Sequence, residues 1–325
     1  MEGDSVQPVV RDTADSIESM DVRGAASIAA AAAEALEAQA AGSETGDPDA
    51  FRSEIEAAAR VLLDTRPTAV SLPNAIRYVR HRMDGTTVPE LRSSVVDATT
   101  RFVDRLERAQ TTIGQIGANR LRDGDTIMTH CHSTDVLACV EAAVDQGKSI
   151  SAYVKETRPR NQGLLTAAAL DDLDVPVTLI VDSAAGRYLG EVDHVLVGAD
   201  SIAADGAVIN KIGTHGLAVL ARDRGVPFVV AAQTIKLHPE TLTGHTVDIE
   251  MRSEAEVIDP SNREDLGQIN VSNPAFDVTP PRHVDAILTE SGQFPPESIV
   301  MLIRELYGDG DDVLPVPDGP VDAAE

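Results

Sequence analysis

From about residue 121 onward, short apolar runs alternate with segments of helical periodicity, and this alternation restricts the folds that the chain can adopt. The predicted strands are Thr126–Thr129, Ile150–Val154, Val177–Val181, His194–Val197, Phe228–Ala231 and Ala286–Thr289. The predicted helices between them are Thr134–Gln146, Thr166–Leu173 and Ile209–Arg224. Strands that alternate with helices favour a parallel, doubly wound sheet. We therefore expect an α/β architecture in this part of the chain.

Residues 1–120 follow a different pattern, which predicts helices. The segment Ala25–Ala41 is rich in alanine and glutamate, and residues 49–64 carry apolar side chains at helical spacing. Only Thr68–Leu72, which lies between two prolines, suggests extended chain. Because a domain usually holds about 100–200 residues, the length of 325 predicts two domains, residues 1–120 and 121–325.

The chain is strongly acidic, which excludes several classes of partner. It carries 53 Asp and Glu against 27 Lys and Arg, for a formal net charge of −26. This charge argues against binding to nucleic acid or to an anionic membrane surface. The acidic, lysine-poor composition resembles that of proteins adapted to molar salt, in which salt screens the repulsion between surface charges. The tail from Gly308 is rich in Asp, Gly and Pro, and we expect it to fray.

The sequence also indicates a cytoplasmic location. No apolar run approaches the ~20 residues that span a bilayer, and no basic segment followed by an apolar one predicts export. Two cysteines, Cys131 and Cys139, fit a reducing compartment better than a disulfide framework.

Motifs of the common cofactor sites are missing from the sequence. Neither GxGxxG nor GxxxxGK[ST] follows a predicted strand, so a dinucleotide or Walker-type nucleotide site lacks support. The run His130-Cys131-His132 could suggest a metal site. However, adjacent residues in extended chain point to opposite faces, and no second ligand pair follows at a suitable spacing. We therefore expect neither a metal nor a redox cofactor.

Two reactive side chains follow predicted strands, where ligands of open parallel sheets bind. Cys131 precedes a helix for which Ser133 is a plausible N-cap, and helix amides at such a position lower the pKa of a thiol. Asp200 follows the apolar run Val195–Ala199, and a buried carboxyl group can donate a proton near neutral pH. The alternatives are a small buried hydrophobic residue for Cys131 and a helix or turn cap for Asp200.

Several cationic positions could bind phosphate groups. Lys211, which follows Asn210, and Lys236 stand out because the chain has so few lysines. In Arg23-Gly24-Ala25-Ala26, small residues would let a phosphate approach the amides of the alanine-rich helix. Arg66 is held stiffly before a proline. The alternative for the two lysines is that they occur there by chance. The alternative for the arginines is that they are surface charges at ordinary turns. Together these features suggest a substrate that is phosphorylated at both ends.

Six segments of the chain together carry a family resemblance. They are Thr129–Ser133, Val197–Thr214, Lys236–Thr241 and Asn273–Pro281, with Arg23–Ala26 and Thr65–Val70 in the N-terminal part. These segments resemble archaeal ribose-1,5-bisphosphate isomerases. Methylthioribose-1-phosphate isomerases and regulatory subunits of the initiation-factor exchange complex belong to the same superfamily. A methylthioribose-1-phosphate isomerase would need an apolar pocket at C5 of the sugar, and a regulatory protein would not need an acid–base pair.

This resemblance implies a helical N-terminal domain followed by a Rossmann-like C-terminal domain with a parallel sheet. It implies conversion of α-D-ribose 1,5-bisphosphate to D-ribulose 1,5-bisphosphate in archaeal AMP and nucleoside catabolism, with Cys131 as the base and Asp200 as the acid. It further implies homo-oligomers, either dimers or hexamers, and AMP is a candidate activator. The implied substrate-binding residues are Arg23, Gly24, Ala25, Ala26, Arg66, Ser133, Thr134, Asp135, Asn210, Lys211 and Lys236.

Overall fold

The computed structural model describes residues 6–66, 69–263 and 267–307, which form two compact units. The described residues of the first unit come from Met1–Arg108, Ile235–His245 and Met301–Glu325, and those of the second from Ala109–Thr234 and Thr246–Val300. Each unit thus combines segments that are distant in sequence. The predicted domains, residues 1–120 and 121–325, are continuous segments, and their bounds stay a prediction. The tail from Gly308, for which we predicted fraying, lies outside the described residues.

The first unit is helical, as predicted. Its helices are α1 Pro8–Glu18, α2 Ala25–Gly42, α3 Pro48–Leu63, α4 Ser71–Arg82 and the part of α5 (Val88–Arg120) up to Arg108. Helix α2 packs against α1, α3 and α4 and buries small side chains such as Ala29, Ala32 and Ala33. Because alanine is small, the neighbouring helices can approach α2 closely. The rings of Tyr78 and Phe102, 5.0 Å apart, are also buried.

The prediction of extended chain at Thr68–Leu72 is wrong for the residues that the structure describes. Ser71 and Leu72 are the first residues of α4, whereas residue 68 lies outside the described ranges. Pro73 falls in the first turn of this helix, where a missing N–H removes no hydrogen bond. A proline at that position is therefore compatible with a helix.

The second unit is built on a seven-stranded sheet with strand order β10-β9-β7-β4-β1-β2-β3. The strands of the unit are β1 Thr126–Thr129, β2 Ser151–Lys155, β3 Val177–Ile180, β4 His194–Val197, β5 Ser201–Ile202, β6 Val208–Lys211, β7 Phe228–Ala231, β8 Phe276–Thr279, β9 Ala286–Thr289 and β10 Gly292–Phe294. All neighbours in the large sheet are parallel except β10, which is antiparallel to β9. The six predicted strands correspond to β1, β2, β3, β4, β7 and β9, and the predicted α/β fold class is confirmed.

A second, three-stranded sheet was not predicted. Strand β6 pairs antiparallel with β5 and with β8. The prediction that a helix begins at Ile209 is therefore wrong over the last residues of β6, because the side chains of Val208–Lys211 are all buried and carry no helical pattern. The helix begins only at Thr214, after Gly213 with its left-handed φ of +97°. Asn210 and Lys211 consequently lie on a strand.

Six further helices are described in the rest of the chain. They are α6 Thr134–Asp145, α7 Gly163–Asp171, α8 Ala185–Tyr188, α9 Thr214–Arg224, α10 Pro260–Arg263 and α11 Ile299–Tyr307. Within the second unit, α5 lies so close to α6 that a Cβ atom on Gly117 would come 2.2 Å from Sγ of Cys139. Only glycine fits at this crossing. Among the described residues, none of the helices is both long and apolar enough to cross a membrane.

Candidate active site

The candidate active site lies at the carboxyl edge of the large sheet. Strands β1, β2 and β4 run parallel, so the loops that follow them leave the sheet at the same edge. These loops carry the run His130–Ser133, Thr157 and Asp200. Reactive side chains from separate parts of the sequence therefore meet in this region of the second unit.

Cys131 is partly exposed and has a backbone φ of +70°, a left-handed conformation that is uncommon outside glycine. Burial raises the pKa of its thiol to about 11, and the charge of Asp200 acts in the same direction. Three other groups lower the pKa of this thiol. They are the charge of Lys211, the backbone N–H of His132 and the charge of Arg252. The prediction that helix amides lower the pKa of this thiol is wrong, because desolvation outweighs the favourable interactions with the thiolate.

Lys211 is a buried cation whose pKa is affected by the charges of Cys131 and Asp200. Its ammonium group donates to the carbonyl oxygen of Ala275 at 3.2 Å and lies 4.5 Å from the ring centre of Phe276. Burial lowers the pKa of Lys211, whereas the charges of Cys131 and Asp200 raise it. A buried ammonium group next to a thiol and a carboxylate is well placed to bind an anionic ligand.

Asn210 is buried beside Lys211, and its side-chain amide donates to Oγ1 of Thr214 at 3.0 Å. Asp277 accepts hydrogen bonds from the backbone N–H groups of Gly213 at 2.8 Å and His215 at 3.1 Å. These bonds fix the turn that leads from β6 into α9. The turn that follows Asn210 and Lys211 is thus anchored to β8.

The N-terminus of α6 carries the other predicted ligands of this unit. Ser133 is its N-cap, as predicted, and accepts a hydrogen bond from the backbone N–H of Val136 at 3.4 Å. Thr134 is exposed, whereas Asp135 is buried and accepts from the side-chain amide of Gln233 at 3.1 Å. Asp135 therefore supports the helix terminus from within, and the exposed Thr134 is open to a ligand.

A buried polar cluster behind Cys131 was not anticipated from the sequence. Nε2 of His130 lies 2.8 Å from the carbonyl oxygen of Ile212, and the ammonium group of Lys155 lies 3.8 Å from Asp182. Burial lowers the pKa of both His130 and Lys155. Lys155 is one of the four lysines of the chain, and this scarcity was the signal that could have identified it.

Arg252 is a second residue that sequence reasoning missed. Its side chain is largely buried and lies 3.1 Å from Glu250. Its charge lowers the pKa of both the Cys131 thiol and Lys211, so it belongs to the same electrostatic environment. Because arginine is common in this chain, no pattern distinguishes Arg252 in the sequence. No group of three or more His, Cys, Asp or Glu side chains suited to a metal occurs within the described ranges.

Comparison with known proteins identifies the family. The family model described as Initiation factor 2 subunit family matches residues 21–296, which is most of the chain. The chain belongs to this family. A protein from Haloferax volcanii named ribose 1,5-bisphosphate isomerase is 69% identical over 307 residues, covering 94% of this chain and 95% of that protein. A protein of the same name from Thermococcus kodakarensis is 46% identical over 305 residues, covering 92% and 95%.

A solved structure shares the fold. The structure titled translation initiation factor eIF-2B from Pyrococcus horikoshii OT3 matches with a TM-score of 0.78 at 29% identity, covering 90% of this chain and 99% of that one. The resemblance inferred from the sequence segments is therefore confirmed at the level of family and fold.

Other predicted ligands of this family member belong to the first unit. Arg23 is exposed, and its Nε donates to the carbonyl oxygen of Met20 at 2.5 Å. Gly24, with φ of +87°, directly precedes α2, whose first residues Ala25 and Ala26 are half-buried, and no side chain caps this helix terminus. Arg66 follows α3 and is half-buried, whereas the neighbouring residues 67 and 68 lie outside the described ranges.

Lys236 is buried in the first unit and is held by α4. The side-chain amide of Asn74 donates to the carbonyl oxygens of Ile235 at 2.8 Å and Leu237 at 2.9 Å, the two residues that flank Lys236. In turn, Arg77 donates to the side-chain oxygen of Asn74 at 3.0 Å. Sequence reasoning singled out Lys236 but missed Asn74, which fixes the backbone on both sides of that lysine.

Proposed function

We propose that this protein is a ribose-1,5-bisphosphate isomerase, which converts α-D-ribose 1,5-bisphosphate to D-ribulose 1,5-bisphosphate. The observation that carries the proposal is that Cys131 and Asp200 follow parallel strands at the same edge of the sheet. The backbone N–H of Asp200 donates to the carbonyl oxygen of Ile209, two residues before Lys211, and the charges of Asp200 and Lys211 both act on the thiol. A base, an acid and a cation are what the isomerisation of a phosphorylated sugar requires. The name of the relatives from H. volcanii and T. kodakarensis supports the same substrate.

The reaction needs an acid because C1 of the substrate carries a phosphate and its ring cannot open as a free hemiacetal. In the proposed first step, the carboxyl group of Asp200 donates its proton to the ring oxygen, and the bond between C1 and that oxygen breaks. The thiolate of Cys131 then removes the proton from C2, which gives the cis-phosphoenolate in its protonated enol form, with a double bond between C1 and C2 and the hydroxyl group still on C2.

Product formation reverses the proton positions. Cys131 returns its proton to C1, and the hydroxyl proton on C2 passes to the carboxylate of Asp200 as the ketone forms. Both side chains end in their initial forms, so the protein contributes proton transfers alone. The reaction needs a thiolate on Cys131 and a carboxylic acid on Asp200. Transfer of the thiol proton to Asp200 creates both forms in a single step.

Each unit, taken by itself, carries residues that we propose as phosphate ligands. Lys211 and Asn210, with the terminus of α6 at Ser133, Thr134 and Asp135, are the proposed ligands in the second unit. Lys236, Arg66 and the segment Arg23–Ala26 are the proposed ligands in the first unit, where the uncapped terminus of α2 offers backbone N–H groups. Holding C2 within reach of the base can supply about 7–11 kcal/mol of the barrier.

A comparison of two substrates tests this proposal. Purified protein is incubated in high salt with α-D-ribose 1,5-bisphosphate or with 5-methylthioribose 1-phosphate, and the ketose product is quantified. We expect kcat/KM for the bisphosphate to be higher by at least about 100-fold, because cations that bind a 5-phosphate are left unpaired by a methylthio group. Equal or faster turnover of the methylthio substrate would contradict the proposed substrate, and no turnover of either would favour a regulatory binding protein.

We further propose that the protein forms homo-oligomers, either dimers or hexamers, in the cytoplasm and that AMP activates it. The proposal rests on the resemblance described above and on the implied role in AMP and nucleoside catabolism. Light scattering after size exclusion measures the oligomeric state, and a monomer would contradict the first part. The isomerase rate with and without AMP tests the second part, which an unchanged rate would contradict.

A further inference from the structure

The histidines on either side of Cys131 each lie beside a threonine. Nδ1 of His130 is 3.2 Å from Oγ1 of Thr157, and Nδ1 of His132 is 3.1 Å from Oγ1 of Thr166. Both threonines are fully buried, Thr157 in the loop after β2 and Thr166 in α7. The run His130-Cys131-His132 thus meets two hydroxyl groups that come from different elements.

Each threonine also binds one of the two peptide groups next to Cys131. The backbone N–H of Cys131 donates to Oγ1 of Thr157 at 2.9 Å, and the hydroxyl of Thr166 donates to the carbonyl oxygen of Cys131 at 2.8 Å. The orientations of these two peptide planes define φ and ψ of the residue between them. The two threonines therefore hold Cys131 in its strained left-handed conformation, with φ of +70°.

The bond to Thr166 has a direct consequence for the thiol. The carbonyl oxygen of Cys131 and the N–H of His132 belong to one trans peptide group, so they point in opposite directions. When Thr166 holds the oxygen on one side, the N–H of His132 is aimed to the other side. The backbone N–H of His132 lowers the pKa of the Cys131 thiol and so stabilises the thiolate.

The two histidine rings form hydrogen bonds to the hydroxyl groups of these threonines. Since Nε2 of His130 faces the carbonyl oxygen of Ile212, it carries the hydrogen in the neutral ring, and Nδ1 can accept from the hydroxyl of Thr157. The carbonyl oxygen of Lys155, 3.0 Å away, is the other acceptor for that hydroxyl. In either arrangement Thr157 accepts from Cys131, because a backbone N–H can only donate. Thr166 uses its hydrogen for the carbonyl of Cys131, so His132 donates to Thr166.

We propose that Thr157 and Thr166 are positioning residues that fix the two peptide planes around Cys131, and that Thr166 thereby directs the N–H of His132 to the sulfur atom. This inference rests on the proposed function, in which Cys131 is the base. It gives the two histidines a role as supports of the threonines. Lys211, Asp200 and Arg252 also act on the sulfur, through their charges.

Valine and serine substitutions at both threonines test the proposal. Valine keeps the shape of threonine without the hydroxyl, and serine keeps the hydroxyl. For Thr157→Val and Thr166→Val we expect kcat to fall about 10- to 100-fold with KM within about twofold, because the base is displaced while the phosphate ligands remain. Thr157→Ser and Thr166→Ser should keep kcat within about threefold of wild type. A loss of activity in the serine variants equal to that in the valine variants would overturn the proposal.

Alkylation of Cys131 provides a readout that does not depend on isomerase activity. The labelling rate with iodoacetamide at a fixed pH of about 8 is measured for the Cys131 peptide by mass spectrometry. Thr166→Val should lower this rate about three- to tenfold, since the thiolate loses the N–H of His132, and Thr166→Ser should not. If Thr166→Val does not fold, Thr166→Ala replaces it. An unchanged or faster rate, as simple loosening of the loop would cause, overturns the role of Thr166 even if the protein has another activity.

Discussion

The backbone N–H of Asp200 donates a hydrogen bond of 2.9 Å to the carbonyl oxygen of Ile209. Asp200 follows β4 of the large sheet, whereas Ile209 lies on β6 of the small sheet, two residues before Lys211. This bond joins the two sheets at the candidate site. It places the proposed acid near the proposed phosphate ligand, and the charge of Asp200 acts on Lys211.

Lys211 and Lys148 form a matched pair for testing phosphate binding. Lys211→Met removes the buried ammonium group of the site, and we expect KM for the bisphosphate to rise at least about tenfold, which corresponds to about 1.4 kcal/mol of lost binding. Lys148→Met removes an ammonium group that donates to the carbonyl oxygen of Ala118, and KM should stay within about twofold of wild type. Steady-state kinetics of both variants measure this difference. An equal KM for the two would contradict the role of Lys211.

The raised thiol pKa of Cys131 predicts two different pH profiles. Between about pH 7 and 9, below the thiol pKa of about 11, the thiolate fraction in the free protein increases with pH, so alkylation should accelerate about tenfold per unit. The isomerase rate constant kcat/KM should change little over the same range. In the proposed mechanism, the transfer from the thiol to Asp200 moves one shared proton within the pair and leaves the number of bound protons unchanged. A flat alkylation profile would contradict the raised pKa, and a tenfold rise in kcat/KM per unit would contradict the shared proton.

Asn74 should control how well Lys236 is positioned. Replacing Asn74→Ala removes both hydrogen bonds to the residues that flank Lys236, and we expect KM for the bisphosphate to rise about 3- to 30-fold. The control is Arg80→Ala on the same helix, which removes only an ion pair with Glu56 at the surface and should leave KM unchanged. An equal KM for Asn74→Ala and Arg80→Ala would contradict the role of Asn74 in positioning Lys236.

The close approach of α5 to α6 can be tested with two helical glycines. Gly117→Ala would place a methyl group against Cys139, and such overpacking should destabilise the second unit by about 1–3 kcal/mol. Gly216→Ala in α9 meets open space, and the better helix propensity of alanine should stabilise that helix by about 0.5–1 kcal/mol. Urea unfolding of both variants measures the difference. Equal stability of Gly117→Ala and wild type would show that α5 moves away without cost.

Much of the second unit follows from local sequence patterns. Six strands of the large sheet were predicted because each is a short apolar run bounded by glycine or proline, as in Phe228–Ala231. The N-cap at Ser133 was predicted because its side-chain chemistry is local. Cys131 and Asp200 were predicted as site residues because residues at the ends of parallel strands share one edge of a sheet, and their roles stay a prediction.

Features that depend on contacts between distant segments could not be predicted. Strand β6 requires β5 and β8 as neighbours, and β8 lies more than sixty residues further along the chain. The raised pKa of the Cys131 thiol results from burial, which the sequence before a helix does not reveal. Thr157 and Thr166 carry no local signal, since their hydroxyl groups matter only once the loop after β2 and helix α7 have folded against the loop after β1.

The most direct test of the account is the rate of ribulose 1,5-bisphosphate formation by wild type, Cys131→Ser and Asp200→Asn. Serine keeps the shape of cysteine, but its hydroxyl group is far harder to ionise than a thiol, and asparagine keeps the shape of aspartate without its proton. Each substitution should lower kcat by about 100- to 10,000-fold while the protein remains folded. Formation of the ketose by either variant at close to the wild-type rate would contradict the assignment of Cys131 as the base and Asp200 as the acid.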